Sequence, residues 1–546
     1  MTLRMMLFAL LTVGPVCRCD HTWQVGGLPG DGGWFPSLAV DGRGLPHVSS
    51  VAADHGGYTP WSLLYQARTP SGAWGSVLLD REDPHSYGTS IAVDGNAVPH
   101  ILFTRGGIEY ASHIRYATRV GDEWVIEQIE EHAYIQLAPR SIAIDSQGHP
   151  VVLYQAGARD WHLAVRGAGG WSIEPVDALT GAWNASILLD REDRRHIAAV
   201  SESEVNCITD VGGLWRKETV APIQGASASY WVPTLALGED GEPRVAYLTG
   251  AEYYTGELRY ASRRDGQWSV QTVAPQAGWS SLVTLGSVDM IAYAEPIGGQ
   301  GYRVLLATEQ NGGWSTELVA PYAEVFWGLD ARAGPDGFVH AVFDDWSFSY
   351  GSLLVYALGR PIVDVGAPGD LLAEGFNWFS IPMEPVDSSE ASDVLGRDVS
   401  NRLFRWDAVG KNVELYPDDF TDIWPSIGYV LYLDQPLQFG YRGVVPYPAA
   451  VQLPEQGVTW IGIPGQDDVP QGDIRIENNA TGESRTVAED AESPSPWLNA
   501  NWVYYDNQNK TAKILIYDGS GDDTIAHPWL MYRTWSFVED LTLRMR

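Results

Sequence analysis

The sequence predicts an all-β fold with more than one domain, and three observations carry this prediction. The 546-residue chain contains 58 Gly, 33 Pro and 23 Trp, a composition typical of turn-rich β structure. Short runs of alternating polar and apolar residues are separated by Gly, Asp and Asn turns, which is the pattern of antiparallel hairpins. One tryptophan motif recurs seven times in the first 360 residues and then stops, which divides the chain into two parts.

The charge balance excludes several classes of partner. The chain carries 35 Lys and Arg against 69 Asp and Glu, a net charge of −34. Such a surface cannot neutralise many phosphates, so we expect no nucleic-acid partner. The same charge opposes docking on anionic lipid. With 45% hydrophobic and 19% charged residues, the chain has the composition of a globular protein.

Residues 1–19 are predicted to be a secretory signal peptide. Arg4 supplies a positive start, and residues 5–13 form an apolar run that is too short to anchor in a bilayer. Cleavage after Cys19 is expected, and lipid attachment at Cys17 is the alternative. The predicted location is extracellular or on the cell surface, with the periplasm as the alternative. Cys207 would then be the one cysteine left, and we expect it to be a small core residue.

Each repeat of the first part contains four short strands in 44–53 residues. A small-apolar strand, as at residues 37–41, is followed by a tight turn, a strand that begins with Pro-His, and a strand with the pattern Leu-x-Tyr-Ala. The fourth strand begins at the recurring tryptophan. The seven tryptophans, which we expect to be core residues, are Trp23, Trp74, Trp124, Trp171, Trp215, Trp268 and Trp314.

Four-stranded sheets that recur at this period are typical of propeller blades. The last repeat has no tryptophan strand after Ala357, whereas the strand of Trp23 at the other end of the chain has no repeat of its own. Pairing these two pieces would close a ring and remove an open sheet edge. The sequence therefore predicts that residues 20–360 form one seven-bladed β-propeller closed by an N-terminal strand.

These motifs resemble the sialidase-like (BNR-type) propeller repeats of secreted bacterial proteins, with their Ser-x-Ala-x-Asp-x-x-Gly-x-Pro-His and Leu-x-Tyr-Ala patterns. The resemblance covers about 340 residues, as in the run 37–47. It implies the propeller fold, which elsewhere supports enzymes, lectins and scaffolds. The Phe/Tyr-Arg-Ile-Pro motif of sialidases is absent from the sequence. Arg105, Arg159 and Arg303 are the obvious loop arginines that could hold a substrate carboxylate.

The second part begins after a predicted Pro- and Gly-containing linker at 361–370. Residues 371–546 are predicted to form a sandwich-like β module of two related halves, about 371–450 and 451–546. The run 375–382 matches 457–464, and 428–433 is aligned with 529–534. The first run resembles the Gly-Trp-Asn-x-x-Ser-x-Pro modules that end some secreted bacterial proteins. A role in cell-envelope association is one expectation for this module.

One end of the propeller is predicted to carry an aromatic rim around the channel. Connections between the second and third strands, and between blades, share that end, and they are long and aromatic. Aromatic rings that precede the first strands are Trp34, Tyr87, Tyr134, Trp183, Trp231, Trp279 and Trp327. Rings on the other loops are Tyr58, Trp61, Tyr110, Trp161, Tyr253, Tyr254, Tyr302, Trp346 and Tyr350. The loop rings, with Trp183, Trp231 and Trp279, are our candidate ligand-binding residues, and packing between blades is the alternative.

Carboxylates on the same loops are candidates for catalysis. They are Asp54, Glu109, Asp160, Glu204, Glu252, Asp344 and Asp345, of which Asp344, Asp345, Glu252 and Glu204 are the weak catalytic candidates. Glycoside hydrolysis needs two carboxyls within about 10 Å, one of them with a raised pKa. Sequence alone does not show whether any two of these converge.

Two further patterns concern metals. His47, His100, His196 and His340 recur at one place in the repeat, where we expect local hydrogen bonds rather than a shared ion. Asp518, Ser520 and Asp522 have the alternating oxygen spacing that suits Ca²⁺, and an exposed hairpin turn is the alternative. No other cofactor is predicted.

The leading functional hypothesis is a secreted, non-catalytic binding or scaffold protein whose aromatic face holds carbohydrate or an extracellular protein. The alternatives are a glycan-active enzyme, either a sialidase-like hydrolase or a polysaccharide lyase, and a purely structural exoprotein.

Overall fold

The structure is a computed structural model, and it describes residues 21–545 with gaps. The gaps are 31–32, 53–61, 70–71, 81–87, 107–110, 132–134, 138–139, 158–159, 224–231, 251–254, 299–300, 326–327, 347–352, 370, 448, 466–467, 519 and 522. The signal peptide and the lipidation alternative at Cys17 lie outside the described residues. The chain separates into two compact units, one of residues 23–360 and one formed mainly by residues 361–546. Within the described ranges, no helix is long and apolar enough to cross a membrane.

Seven antiparallel sheets make up the described part of the first unit. Sheet 1 contains Trp34–Val40, Pro46–Ala52, Ser62–Arg68 and Trp74–Asp80; sheet 2 contains Thr89–Val93, Pro99–Gly106, Ala111–Val120 and Glu123–Glu131. Sheet 3 contains Ile135–Gln136, Ile142–Ile144, Pro150–Ala156, Trp161–Gly167 and Gly170–Pro175; sheet 4 contains Asn184–Leu189, Arg195–Val200, Glu204–Val211 and Leu214–Pro222. A single 3₁₀ turn, Asp177–Leu179, lies between sheets 3 and 4 in the chain.

The remaining sheets follow the same plan. Sheet 5 contains Thr234–Leu237, Pro243–Thr249, Gly256–Arg264 and Gln267–Ala277; sheet 6 contains Ser280–Leu285, Val288–Gly298, Gly301–Gln310 and Gly313–Ala323. Sheet 7 contains Leu329–Ala333, Val339–Asp345 and Leu353–Gly366, and His21–Gly27 pairs with the last of these. The prediction of an all-β chain with four-stranded, propeller-like blades is confirmed.

The first strands of the sheets lie side by side. Each contacts the first strand of the next sheet, with Ile142–Ile144 taking this place in sheet 3, and the first strand of sheet 7 contacts that of sheet 1. At five of these seven contacts a serine, threonine or aspartate on one first strand accepts a backbone N–H from the next sheet. Examples are Ser37 with the N–H of Ile91, at 3.2 Å, and Asp330 with the N–H of Leu38, at 3.0 Å. Between sheets 4 and 5 the serine donates instead, from the Ser186 hydroxyl to the Pro233 carbonyl at 2.7 Å. The polar side chain at this position of the repeat therefore joins neighbouring sheets.

The recurring tryptophans pack between neighbouring sheets, as predicted. Trp171 of sheet 3 meets Tyr116 of sheet 2 edge-on, with ring centroids 5.2 Å apart. Its indole N–H donates to Glu127 at 3.1 Å, and Arg166 donates to both oxygens of that carboxylate, at 2.6 and 3.0 Å. The hydrogen bonds from Arg166 lower the pKa of Glu127. The Trp171 joint combines an aromatic contact worth about 0.5–1.5 kcal/mol with a half-exposed ion pair.

Trp268 of sheet 5 makes the same kind of hydrogen bonds with Glu218 of sheet 4. Its indole N–H donates to that carboxylate at 3.3 Å, and Arg263 donates to both oxygens, at 2.9 and 3.1 Å. Between the first and last sheets, Trp74 of sheet 1 packs edge-on against Tyr356 of sheet 7 at 5.0 Å. Cys207 packs in the core between sheets 4 and 5, where burial raises the pKa of its thiol to about 12.

The second unit contains two halves of the same design. In the first, Gly375–Phe379, Tyr429–Leu433, Leu403–Asp407 and Asn412–Leu415 form sheet A. Residues 362–366 of Leu353–Gly366 pair with Gly440–Val444, which also pairs with Glu384–Pro385. The segment 361–370, for which the sequence predicts a linker, is thus strand as far as Gly366. The half also holds the helix Ala391–Val394.

In the second half, Gly457–Gly462, Met531–Ser536, Trp502–Asp506 and Thr511–Leu515 form sheet B. Its smaller sheet contains Ala450–Leu453, Leu541–Arg544, Arg475–Asn478 and Ser484–Thr486. Val469–Pro470 pairs with Ile525–Ala526, and the half also holds the 3₁₀ turn Gln471–Asp473 and the helix Val487–Ala491. Each half has its own apolar core.

The strand pairing corrects one detail of the predicted duplication. Phe379 pairs with Tyr429 in sheet A, and Ile461 pairs with Tyr532 in sheet B. Tyr429 therefore corresponds to Tyr532, and the alignment of 428–433 with 529–534 is two residues out of register. Both tyrosines are fully buried and accept a backbone N–H from five residues upstream, at 2.9 and 2.7 Å. The similar apolar residues of the two runs gave the wrong alignment. The strand pairing and the equivalent hydroxyl contacts of Tyr429 and Tyr532 establish the correct one.

Candidate functional site

The centre of the first unit is occupied by a buried ion cluster around Arg140. This residue lies between the strands Ile135–Gln136 and Ile142–Ile144 of sheet 3 and has a left-handed φ of 61°. Its guanidinium donates to the Asp330 carboxylate at 3.2 Å, to the Ser281 hydroxyl at 2.5 Å, and to the carbonyls of Leu282 and Ala331 at 2.9 and 2.8 Å. A side chain from sheet 3 thus binds residues of sheets 6 and 7.

The electrostatics of this cluster keep it ionised. Burial lowers the pKa of Arg140 to about 9, so it remains charged at neutral pH. Burial alone would raise the pKa of Asp330, but the Arg332 and Arg140 guanidiniums outweigh it and lower that pKa. The donors of Arg140 are committed to protein acceptors, so they do not form the open fork that would hold a substrate carboxylate. Arg140 and Asp330 are not among the residues predicted from the sequence, although an arginine directly before the small-apolar run 141–145 was a usable signal.

A stacked tryptophan pair lies where the first strand of sheet 1 meets the second strand of sheet 7. The rings of Trp34 and Trp346 are 5.4 Å apart between centroids and 22° from parallel, and both residues are half-buried. The Trp346 indole N–H donates to Asp344 at 3.0 Å, and the other oxygen of Asp344 accepts the N–H of Gly328 at 3.0 Å. Phe35, next to Trp34, has a left-handed φ of 54°, a strained geometry that often marks binding sites.

The catalytic candidates that the structure describes have structural partners. Asp344 is fully buried and accepts the two hydrogen bonds given above. Asp345 accepts the N–H of Glu324 at 2.9 Å. Glu204 lies 3.2 Å from Lys217; burial would raise its pKa, but hydrogen bonds from Lys217, Asn206 and Thr219 lower it. A carboxyl with a lowered pKa is ionised at neutral pH, so it is a poor general acid.

The structure separates the described aromatic candidates by burial. Trp161 is 4% exposed, and its indole N–H donates to the Ala182 carbonyl at 3.2 Å inside the core between sheets 3 and 4. Tyr302 is 9% exposed and lies in the core of sheets 6 and 7, against which Trp279 packs. These contacts assign Trp161 and Tyr302 to packing. Trp183 is half-buried, as Trp346 is.

Several candidates fall outside the described residues. They are Asp54, Tyr58, Trp61, Tyr87, Glu109, Tyr110, Tyr134, Arg159, Trp231, Glu252, Tyr253, Tyr254, Trp327, Tyr350 and Asp522.

A cavity of about 690 Å³ lies at the same end, where sheets 4 and 5 adjoin. Its described lining includes Ile223, Tyr247, Glu257, Arg259 and Gln276. The guanidinium of Arg259 donates to Glu257 at 2.6 and 3.0 Å, and hydrogen bonds from Thr272 and Arg259 lower the pKa of that carboxyl. The cavity thus adds a polar, charge-balanced recess beside the end that carries the tryptophan pair.

The repeat histidines make local hydrogen bonds, as predicted. The Nδ1 atoms of His47, His100 and His340 lie 2.5–2.6 Å from the hydroxyls of Tyr65, Tyr116 and Tyr356 on the adjacent third strands. His196 instead lies 3.0 Å from the turn aspartate Asp190. Among the described residues no group of three or more His, Cys, Asp or Glu could hold a metal.

The described part of the calcium candidate forms a local turn. Asp518 accepts the N–H of Ser520 at 2.8 Å, and hydrogen bonds from Ser520 lower the pKa of Asp518.

Comparisons with known proteins give likeness of fold only. No family model matches the sequence, and no curated protein matches it. Similar solved structures include a protein of unknown function from Dyadobacter fermentans (9% identity, 62% of this chain and 99% of that one, TM-score 0.39). Others are the NanB sialidase of Streptococcus pneumoniae (12%, 63% and 70%, 0.38) and virginiamycin B lyase of Staphylococcus aureus (10%, 62% and 99%, 0.42). The function is therefore argued from this chain's own residues.

Breaking the central ion cluster should destabilise the first unit strongly. Arg140→Met leaves the buried Asp330 carboxylate with fewer partners, so we expect the free energy of unfolding to fall by about 3–5 kcal/mol. Arg303→Met removes an exposed pair with Glu295 and should leave the free energy of unfolding almost unchanged. Urea unfolding of both variants measures this difference. Equal losses would contradict the inferred importance of the central cluster.

Buried His340 should make stability depend on pH. Burial lowers its pKa from 6.5 to about 3, so the folded state keeps it neutral while the unfolded chain binds a proton below pH 6.5. Stability from this group is present above pH 6.5 and is lost as the pH falls toward 3, by at most about 1.4 kcal/mol per pH unit. The stability difference between wild type and His340→Gln should therefore shrink from pH 7 to pH 4. A constant difference in urea titrations would refute this.

Proposed function

We propose that this protein is a secreted, non-catalytic glycan-binding protein that binds sugar at the end of its first unit carrying Trp34 and Trp346. The observation that carries the proposal is the half-buried, near-parallel pair of indole rings. An aromatic face buries the apolar face of a sugar ring at little conformational cost, and its surroundings supply hydrogen bonds. Secretion rests on the signal-like sequence of residues 1–19.

The fixed position of Trp346 supports a binding role. Its N–H is held by Asp344, and its backbone N–H donates to the Glu324 carbonyl at 3.1 Å. A ring held in place before the ligand arrives loses little entropy on binding. The nearby carboxylates are engaged with protein donors, and this favours binding over acid–base chemistry at this place. The acidity of the chain favours a neutral glycan over an anionic one.

We also propose that the seven sheets form a single closed, seven-bladed propeller sealed by the N-terminal strand. The pairing of His21–Gly27 with Leu353–Gly366 and the contacts between successive first strands support this arrangement. Trp23 supports it as well, since its ring packs closely over Gly359 and against the core of sheets 6 and 7. Closure would hold the tryptophan pair in register, because Trp34 and Trp346 come from the first and last sheets.

Loss of one ring should weaken binding without unfolding the protein. Removing a stacking ring worth about 1 kcal/mol should make the dissociation constant for a neutral oligosaccharide about five- to tenfold larger in Trp346→Ala. Calorimetry on the best oligosaccharide from a glycan array measures this, and Leu214→Ala, at a 72% exposed position, is the control. Unchanged affinity in a folded Trp346→Ala protein would contradict the proposal, as would an array without a neutral glycan ligand.

Removal of the N-terminal strand should open the ring. A variant that lacks residues 21–28 loses the half-buried ring of Trp23 and leaves a free edge on sheet 7, so we expect at least about 3 kcal/mol less stability and a tendency to aggregate. Val25→Ser, on the 45% exposed face of that strand, should have little effect. Thermal unfolding and light scattering report both results. A deletion variant as stable as the wild type would exclude closure by this strand.

A further inference from the structure

The second unit carries two matched pairs of apolar residues on the outward faces of its main sheets. In sheet A, Phe376 pairs across strands with Tyr432; the two residues are 55% and 41% exposed, and their rings meet edge-on at 5.1 Å. In sheet B, Val458 pairs with Trp535, which is 46% exposed. The register of the duplication makes Tyr432 equivalent to Trp535. Both halves thus present an exposed aromatic ring at the same place.

Stacked rings join the two pairs. Trp378 and Trp460 lie two residues after Phe376 and Val458, on the same faces of their sheets. Their rings are 6.4 Å apart and 23° from parallel. Tyr505 packs on Trp378 at 5.5 Å, and the equivalent Trp406 packs on Trp460 at 6.1 Å. We name Phe376, Tyr432, Val458 and Trp535, with Trp378 and Trp460 between them, the C-terminal aromatic surface.

Polar contacts hold this arrangement in place. The Trp406 indole N–H donates to the Val458 carbonyl at 2.9 Å, across the two halves. The Asn507 side chain accepts the N–H of Trp378 at 2.8 Å and donates to its carbonyl at 2.9 Å. Contacts between the halves therefore hold Trp378 and Trp406 in place. Rigid aromatic residues of this kind bind partners at low entropic cost.

The charge of the unit narrows the class of partner. Residues 371–546 contain 27 Asp and Glu against 12 Lys and Arg, a net charge of −15. The ammonium of Lys510, which lies beside Phe376, donates to the Phe376 carbonyl at 3.1 Å. An acidic unit repels anionic polysaccharides, nucleic acids and anionic membranes. The charge therefore excludes anionic partners and is compatible with a neutral one.

We propose that the C-terminal aromatic surface binds a neutral polysaccharide chain. Two equivalent aromatic positions, joined by a stack, form a surface that repeats itself, and a polymer of identical sugars offers matching repeated faces. Two weak contacts to one polymer also strengthen each other through their high effective concentration. This inference goes beyond the proposed function, since it concerns the other unit and requires no ligand on the first.

The experiment uses the full-length protein and three insoluble neutral polysaccharides as probes: crystalline cellulose, chitin and curdlan. Tyr432→Ala and Trp535→Ala are combined, and the fraction retained on each polysaccharide is measured by sedimentation. We expect the wild type to be retained on at least one of them, and the double variant to bind at least fivefold less. Tyr432→Phe with Trp535→Phe keeps both rings and should bind as the wild type does.

A matched control removes a tryptophan elsewhere in the same unit. Trp424 is 41% exposed but lies on a loop whose backbone N–H donates to the buried Tyr429 hydroxyl, so Trp424→Ala should leave retention unchanged. Near-ultraviolet circular dichroism and thermal unfolding establish that every variant is folded. Retention that Trp424→Ala reduces as much as the double variant does would overturn the assignment.

The remaining outcomes are also decisive. No retention on any of the three polysaccharides, or retention unchanged by the double variant, overturns the inference. Self-association in sedimentation velocity that the double variant abolishes would identify a second copy of the chain as the occupant instead. Trp346→Ala separates the two proposals: if it alone abolishes retention, the first unit binds and the C-terminal surface does not.

Discussion

The architecture of the first unit depends on the joint between neighbouring sheets. A four-stranded sheet has two faces, and each face must be covered by the next sheet if its apolar residues are to leave water. At the outer edge the recurring tryptophan fills this joint, as Trp171 does against Tyr116. At the inner edge a short polar side chain such as Ser281 accepts the N–H of Ala331 on the adjacent first strand at 2.8 Å. The same two contacts, repeated, hold short strands in a large assembly without a disulfide in the described residues.

This construction places a limit on where chemistry can occur. The first strands converge toward the centre, and the space between them is taken by the guanidinium of Arg140 and its acceptors. A group with that many protein partners stabilises the contacts among sheets 3, 6 and 7 but is not available to a ligand. The tryptophan pair of the proposed glycan site lies instead at the ends of strands and the connections between sheets, as does the cavity beside Glu257.

Much of the fold could be predicted from the sequence, because it repeats. The tryptophan period and the Pro-His and Leu-x-Tyr-Ala strands lie at matching places in successive sheets, and the histidine contacts followed the same logic. The site was less predictable. Trp161 and Trp346 both occur near the ends of second-to-third connections, yet Trp161 is buried beneath Ala182 while Trp346 stacks on Trp34. Burial of an aromatic ring on a loop depends on whether the neighbouring sheet covers it. The order of residues in the sequence does not show that coverage.

In the second unit, as in the first, repetition places equivalent aromatic residues at equivalent positions, but here some of them stay exposed. Trp378 and Trp460 stand at matching places in two related halves, so the contact between them brings like residues face to face. An interface between two equivalent halves leaves equivalent residues uncovered on each side, which explains why Tyr432 and Trp535 are exposed together. In the first unit repetition half-buries the recurring tryptophan, because a neighbouring sheet packs against it. In the second unit there are two copies rather than seven, so each half keeps part of its aromatic face open to solvent.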